Sequence, residues 1–160
     1  MYLACVRKIP ECCASVRLND SSWSILEVAE HVAAAEHGMF RALELGREKT
    51  APTNYANDAD IVQRGRNRAI KGEAPERSRP KGRWKTMAEA IDAFDKSRAN
   101  SITFAEAGER DPRSIEWQHP LFGALDGFQL LLLMASHTER HTAQIEEIKQ
   151  TPAYRNTVGK

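Results

Sequence analysis

Apolar side chains recur at helical spacing in three stretches of the chain. Ile25, Val28, Ala29, Val32, Met39, Phe40 and Leu43 make the first stripe, since positions three, four and seven apart share one helix face. Just before it, Ser24-Ile25-Leu26-Glu27 has the form of a capping box. In such a box the Ser hydroxyl accepts the amide three residues on, and the Glu carboxylate reaches back to the cap amide. Gly46 is placed to end the run, so the pattern predicts a helix over 24–46. Met87, Ile91, Phe94, Ile102 and Ala105 predict a second helix over 87–107, behind the box Thr86-Met87-Ala88-Glu89. Leu130, Leu133, Met134, Ile145 and Ile148 predict a third over 127–149, behind Asp126-Gly127-Phe128-Gln129, where Asp accepts and Gln returns.

The stretches between are weaker. Tyr2, Leu3, Val6, Ile9, Cys13 and Val16 have roughly helical spacing, but Pro10 interrupts them, which predicts a short or broken helix over 1–20. Residues 47–85 form a long polar connection holding Pro52, Gly65, Gly72, Pro75, Pro80 and Gly82. A short helix is expected around 58–68. A connection of this length is either a crossover along the domain or a lid over a site. Residues 108–125 read as loop, with Asp111-Pro112, His119-Pro120 and Gly123. No segment sustains a period of two, and no internal repeat is visible. Three strong helices and a weaker first one predict an all-α fold, a four-helix bundle with a long crossover connection. At 160 residues the chain reads as a single domain, 1–160.

Composition narrows the function classes. With 23 Lys and Arg against 22 Asp and Glu, nothing in the charge calls for nucleic acid or an acidic membrane. Seven basic residues lie between Arg64 and Lys81, but acidic neighbours offset them, so a solvated surface is expected there. The longest apolar run, Leu130 to Ala135, has six residues, against about twenty for a membrane span. The opening MYLACVRKIPECC has no apolar core of a secretory signal, and a cytoplasmic protein is expected. Cys5, Cys12 and Cys13 are odd in number and lack C-x-x-C spacing. They read as reduced, partly buried thiols, with a redox or metal role for Cys12 and Cys13 as the minor alternative.

His137-Thr138-Glu139-Arg140-His141 carries the most chemistry. Two imidazoles four apart on a helix differ by about 40° of rotation and point the same way. Both fall inside the apolar stripe of the third helix, so they face the interior, where an unpaired polar group costs about 1–3 kcal/mol. A shared metal ion satisfies both; so do separate hydrogen bonds to core carbonyls or carboxylates, and the spacing leaves the two readings open. A metal needs a third ligand, for which His31, His37, His119, Glu36 and the cysteines are candidates. His31 lies at the edge of its helix's stripe, whereas His37 turns toward the polar side. Glu36 lies within the stripe, to orient a ligand or to pair with a core Arg or His. His119 reads as a turn residue. The H-E-x-x-H, G-x-S-x-G, Walker A and G-x-G-x-x-G motifs are absent, and no predicted helix carries the Glu-x-x-His of ferritin-like iron sites.

Taken together, these stretches resemble the DinB/YfiT-like family of metal-binding helical bundles. Trp23-Ser24-Ile25-Leu26-Glu27-Val28-Ala29-Glu30-His31-Val32 is similar to the family's W-S-to-His segment, His119-Pro120-Leu121-Phe122-Gly123 to the lead-in of its last helix, and His137 through Ile145 to its H-x-x-x-H-x-x-Q-I segment. The resemblance spans roughly residues 22–150. It implies His31, His137 and His141 as metal ligands, one divalent ion (zinc first, then nickel, iron or manganese) and a low-molecular-weight thiol. It also implies a full first helix before Trp23, where this chain has 22 residues broken by Pro10; a short or truncated helix is expected instead, along with a homodimer. Partners are expected to be small molecules, without nucleic acid or membrane. Three readings follow: a metal-dependent enzyme, with thiol S-transfer first and hydrolysis second; a non-catalytic metal-binding or stress-response protein; and a metal-free bundle. An open pocket beside the histidines favours the first reading. A carboxylate on each ring, with the rings diverging, favours the last.

Overall fold

The computed structural model describes residues 1–50, 54, 57–69 and 72–159; Pro52, one of the predicted breakers, lies outside them. Three long helices form the frame: α2, Ile25–Leu45; α4, Met87–Ala107; and α5, Gly127–Lys149. All three capping boxes are closed in both directions. The Ser24 hydroxyl accepts the Glu27 amide at 3.3 Å while the Glu27 carboxylate accepts the Ser24 amide at 2.7 Å. A cap of this kind contributes about 0.5–2 kcal/mol, so four consecutive residues fix where each helix starts. Gly108 ends α4 in the left-handed region at φ 64°, which glycine enters without a Cβ clash. Gly46 ends α2 for a different reason. Its φ is −59°, but a Cβ there would lie 2.3 Å from Ile115 Cγ2 and 2.8 Å from the Ala42 carbonyl oxygen.

Two shorter helices complete the cover of α5. The first, α1 (Tyr2–Val6), ends before Pro10 and reaches the C-terminal part of α5, where the Cys5 thiol donates to Glu146 at 3.1 Å. The second, α3 (Asn57–Arg66), lies on the N-terminal part. Gly65 permits close packing there, since a Cβ would stand 2.2 Å from Ser136 Oγ. A further helix not foreseen from sequence, α6 (Pro152–Val158), is capped by Thr151 and buries Tyr154 beside Cys13 in the core that also holds Val6, Val28 and Phe94. The molecule is a four-helix bundle, and among the described residues no helix is long and apolar enough to cross a membrane.

The segment 108–125, read as loop, contains a hairpin. Strand β2, Ile115–His119, pairs antiparallel with β3, Gly123–Asp126, and with the short β1, Arg47–Glu48. Gly123 closes the turn at φ 74°. Arg113 ties the sheet to the bundle, bonding Asp58 at 2.6 Å and Asp126 at 3.0 Å. The other long connection is anchored as well. Glu30 of α2 is buried, and its carboxylate accepts the amides of Lys81, Gly82 and Arg83 at 2.7, 2.9 and 3.2 Å and the Arg83 guanidinium at 2.7 Å. Loop 81–83 is thereby fixed on α2, and the helical turn Glu76–Ser78 beside it packs on the same helix.

Candidate metal centre

His31 comes from α2 and His137 and His141 from α5, and one ring nitrogen of each lies within 4.8 Å of the others. Ring centroids are 5.0, 4.8 and 4.5 Å apart, so the rings converge. Their outer nitrogens are engaged. His31 Nδ1 lies 2.9 Å from the Ser78 carbonyl oxygen and His141 Nδ1 lies 2.8 Å from Gln144 Oε1. A carbonyl oxygen can only accept, so both Nδ1 atoms carry protons and both Nε2 atoms present lone pairs. His31 Nε2 faces His137 Nε2 at 3.1 Å. With its proton on Nε2, a neutral His137 donates to the His31 lone pair at that distance; with the proton on Nδ1, the two lone pairs face each other and a cation between them relieves the repulsion. A tetrahedral ion with bonds of about 2.0–2.1 Å sets its ligand nitrogens roughly 3.3 Å apart, so the donor set fits a divalent metal. The oriented Nδ1–H groups are the outer hydrogen bonds that such ligands use.

Electrostatics keep the rings neutral, as metal ligation requires. Burial pushes His137 down to about 3, with charge on His31, Arg140 and His119 acting in the same sense. Burial likewise takes His141 well below its ordinary range and lowers His31 against the opposing pull of its Ser78 hydrogen bond. Among the described residues no carboxylate hydrogen-bonds any of the three rings; carbonyl oxygens of Ser78 and Gln144 serve His31 and His141, and the rings converge rather than diverge, the arrangement that separates this site from a metal-free bundle. A cavity of about 110 Å³ opens beside the triad. Its lining includes His31 and His137 of the triad, the apolar Met39, Leu130 and Leu133, and Trp117, His119 and Phe122 of the hairpin region.

The sequence profile of the DinB superfamily matches residues 1–145. The chain belongs to the DinB superfamily. Its bundle is similar to a solved structure described as "Crystal structure of TT2238, a four-helix bundle protein", at 23% identity and a TM-score of 0.54, over 91% of this chain and 86% of that one; that likeness concerns the fold. No curated protein matches the chain.

In this DinB bundle the remaining candidates fall elsewhere. Glu36 is buried and pairs with Arg98 through two bonds of 2.5 and 3.0 Å, so of its two expected roles it takes the ion pair. Burial raises its carboxyl and Arg98 opposes that rise. His37 is exposed. His119 lines the cavity and packs on Phe122 at 5.2 Å, outside the triad. Glu116 precedes it at Glu-x-x-His spacing, but on strand β2 residues three apart face opposite sides. Cys5 and Cys13 are buried in the core and Cys12 is exposed, all as free thiols. Burial first, then Glu146, lifts the Cys5 thiol to about 12, far from a reactive thiolate. Sequence reasoning missed Glu30, Ser78 and Gln144, which hold the site's outer shell. Gln144 alone had a signal, one turn after His141 on the same helix.

Proposed function

We propose that this chain is a divalent-metal-dependent enzyme of thiol S-transfer, with His31, His137 and His141 as the metal ligands. The observation that carries the reading is three neutral, converging imidazoles beside an open cavity. Three protein ligands leave a coordination position free, as in catalytic sites. A divalent ion held there lowers the pKa of a bound thiol or water, so that its anion forms near neutral pH. Zinc suits this donor set first, and nickel, iron and manganese also accept it. Ser78 and Gln144 fix the ring orientations, and Glu30 fixes the segment that carries Ser78. The apolar lining residues Met39, Leu130 and Leu133 disfavour water beside a bound substrate. Hydrolysis is the second reaction that the same centre supports. The cavity argues against a closed, non-catalytic metal store. The reading places the protein in the cytoplasm as a homodimer acting on small molecules.

Cobalt-loaded protein tests this. Addition of 2-mercaptoethanol is expected to produce a sulfur-to-cobalt charge-transfer band, and halide release from a small alkyl or aryl halide is expected to depend on the thiol. The His137→Ala variant loses both. Thiol-dependent halide release that survives in His137→Ala overturns the reading, and release that proceeds equally without thiol assigns the centre to hydrolysis.

A further inference from the structure

The cavity beside the triad has a charged mouth. Among the described residues its lining holds no carboxylate, and its one permanently charged side chain is Arg77. The cations that follow it in the same segment are matched: Arg79 with Glu73 at 2.8 Å, Lys81 with Glu76 at 2.6 Å, and Arg83 with Glu30 at 2.7 Å. Arg77 makes no ion pair among the described residues. Its position is nevertheless fixed by the fold. The Arg77 carbonyl accepts from the Arg83 guanidinium at 2.8 Å, and the next residue, Ser78, supplies the carbonyl that holds His31. His119 lines the same cavity; its Nδ1 accepts the Leu121 amide at 3.2 Å, so in the neutral ring Nε2 carries the proton and is a donor. A guanidinium and an imidazole N–H lining one pocket are the usual recognition elements for a carboxylate.

Size limits what can enter. A dry cavity of 150 Å³ accommodates benzene; at about 110 Å³ this one takes an occupant of roughly four or five non-hydrogen atoms, or the reacting end of something longer. We infer that Arg77, assisted by His119, is the anion-binding end of this cavity, and that the molecule it takes is a short carboxylate-bearing one with its carboxylate at Arg77 and its reacting end toward the histidine triad. This names the substrate class of the site and rests on the reading proposed above.

Propionate and propionamide have the same size and differ in charge. Metal-free protein is titrated with each while the Arg77 and His119 side-chain resonances are followed by NMR, and zinc stoichiometry is measured on the same samples. Propionate is expected to bind at least fivefold more tightly than propionamide. Arg77→Gln is expected to bring the ratio near one, and Arg77→Lys to retain part of the preference. Arg77 is exposed, so these variants keep the fold, which unchanged amide spectra check. A ratio near one in the unaltered protein, no binding of either compound, or an unchanged ratio in Arg77→Gln overturns the inference. A preserved preference without zinc binding leaves the anion site standing and removes the metal-centred function; zinc binding with a ratio of one does the reverse.

Discussion

Glu30→Gln removes one charge and one acceptor from the carboxylate that holds loop 81–83 on α2. One oxygen accepts from the Lys81 and Arg83 amides and the Arg83 guanidinium, at 2.7, 3.2 and 2.7 Å, and the other accepts the Gly82 amide at 2.9 Å. A glutamine can keep its oxygen for the three donors, which turns its NH2 group onto the Gly82 N–H. That donor then lacks an acceptor in the protein; a buried donor would cost about 1–3 kcal/mol, and because Gly82 is exposed the cost lies at the low end of that range. The surviving bonds from the Lys81 and Arg83 amides become neutral, and the bond from the Arg83 guanidinium loses its anionic acceptor, each weaker by roughly 1 kcal/mol. The Arg83 side chain is 30% exposed, so water recovers part of the loss, and the net expectation is about 3 kcal/mol. Because Ser78 belongs to the same anchored segment, the His31 ring loses its fixed orientation, and zinc affinity is expected to fall about 10–100-fold. Urea denaturation of the metal-free protein and a competitive zinc titration measure the two effects. A stability loss under about 0.5 kcal/mol, ordinary for a surface change, together with unaltered zinc affinity, refutes the assignment of Glu30 as the anchor.

Further predictions concern packing, charge and pH. Gly65→Ala places a methyl 2.2 Å from Ser136 Oγ, so α3 must move away from α5; a loss of about 2 kcal/mol, or about 4–8 °C in Tm, is expected by calorimetry. Arg98→Leu strips buried Glu36 of its partner and is expected to cost about 3–5 kcal/mol, with Glu36→Leu added in the same chain recovering most of it in urea melts. The three triad histidines have folded-state pKa values below their ordinary value near 6.5, so the unfolded chain binds more protons beneath that pH. Stability of the metal-free protein is therefore complete above about pH 6.5 and falls as pH drops, for His137 until about 3, at about 1.4 kcal/mol per unit for each histidine. Replacing His137 by Leu is expected to make the acid limb of a stability–pH curve shallower by one proton.

Local signals carried most of the fold. Each capping box is written within four residues, and so α2, α4 and α5 begin where Ser24, Thr86 and Asp126 predict. The hairpin was not legible because β2 has five residues and is held by pairing with Glu48, far away in the chain; so short a strand leaves too few alternations to register. For α6, not foreseen, the local signal was Thr151-Pro152, a cap followed by a proline at the first helical position, with too short an apolar pattern behind it to mark a helix. In the site, the phase of α5 placed His137 and His141 inward. His31 needed the family resemblance, since its position at the stripe edge fits either face. Glu36 was recognisable as a buried charge without a partner, while the partner, Arg98, sits on a different helix. Glu30 and Ser78 act only once loop 75–83 has folded back onto α2, and no local pattern encodes that contact.

The central claim is that the triad holds a divalent ion. Elemental mass spectrometry on untagged protein, beside a His137→Ala, His141→Ala double variant checked for its fold by circular dichroism, tests it most directly. The account predicts close to one equivalent of metal per chain in the unaltered protein and none in the double variant. Protein that takes up no metal after exposure to zinc, nickel, iron and manganese, or a double variant that keeps its ion, contradicts it.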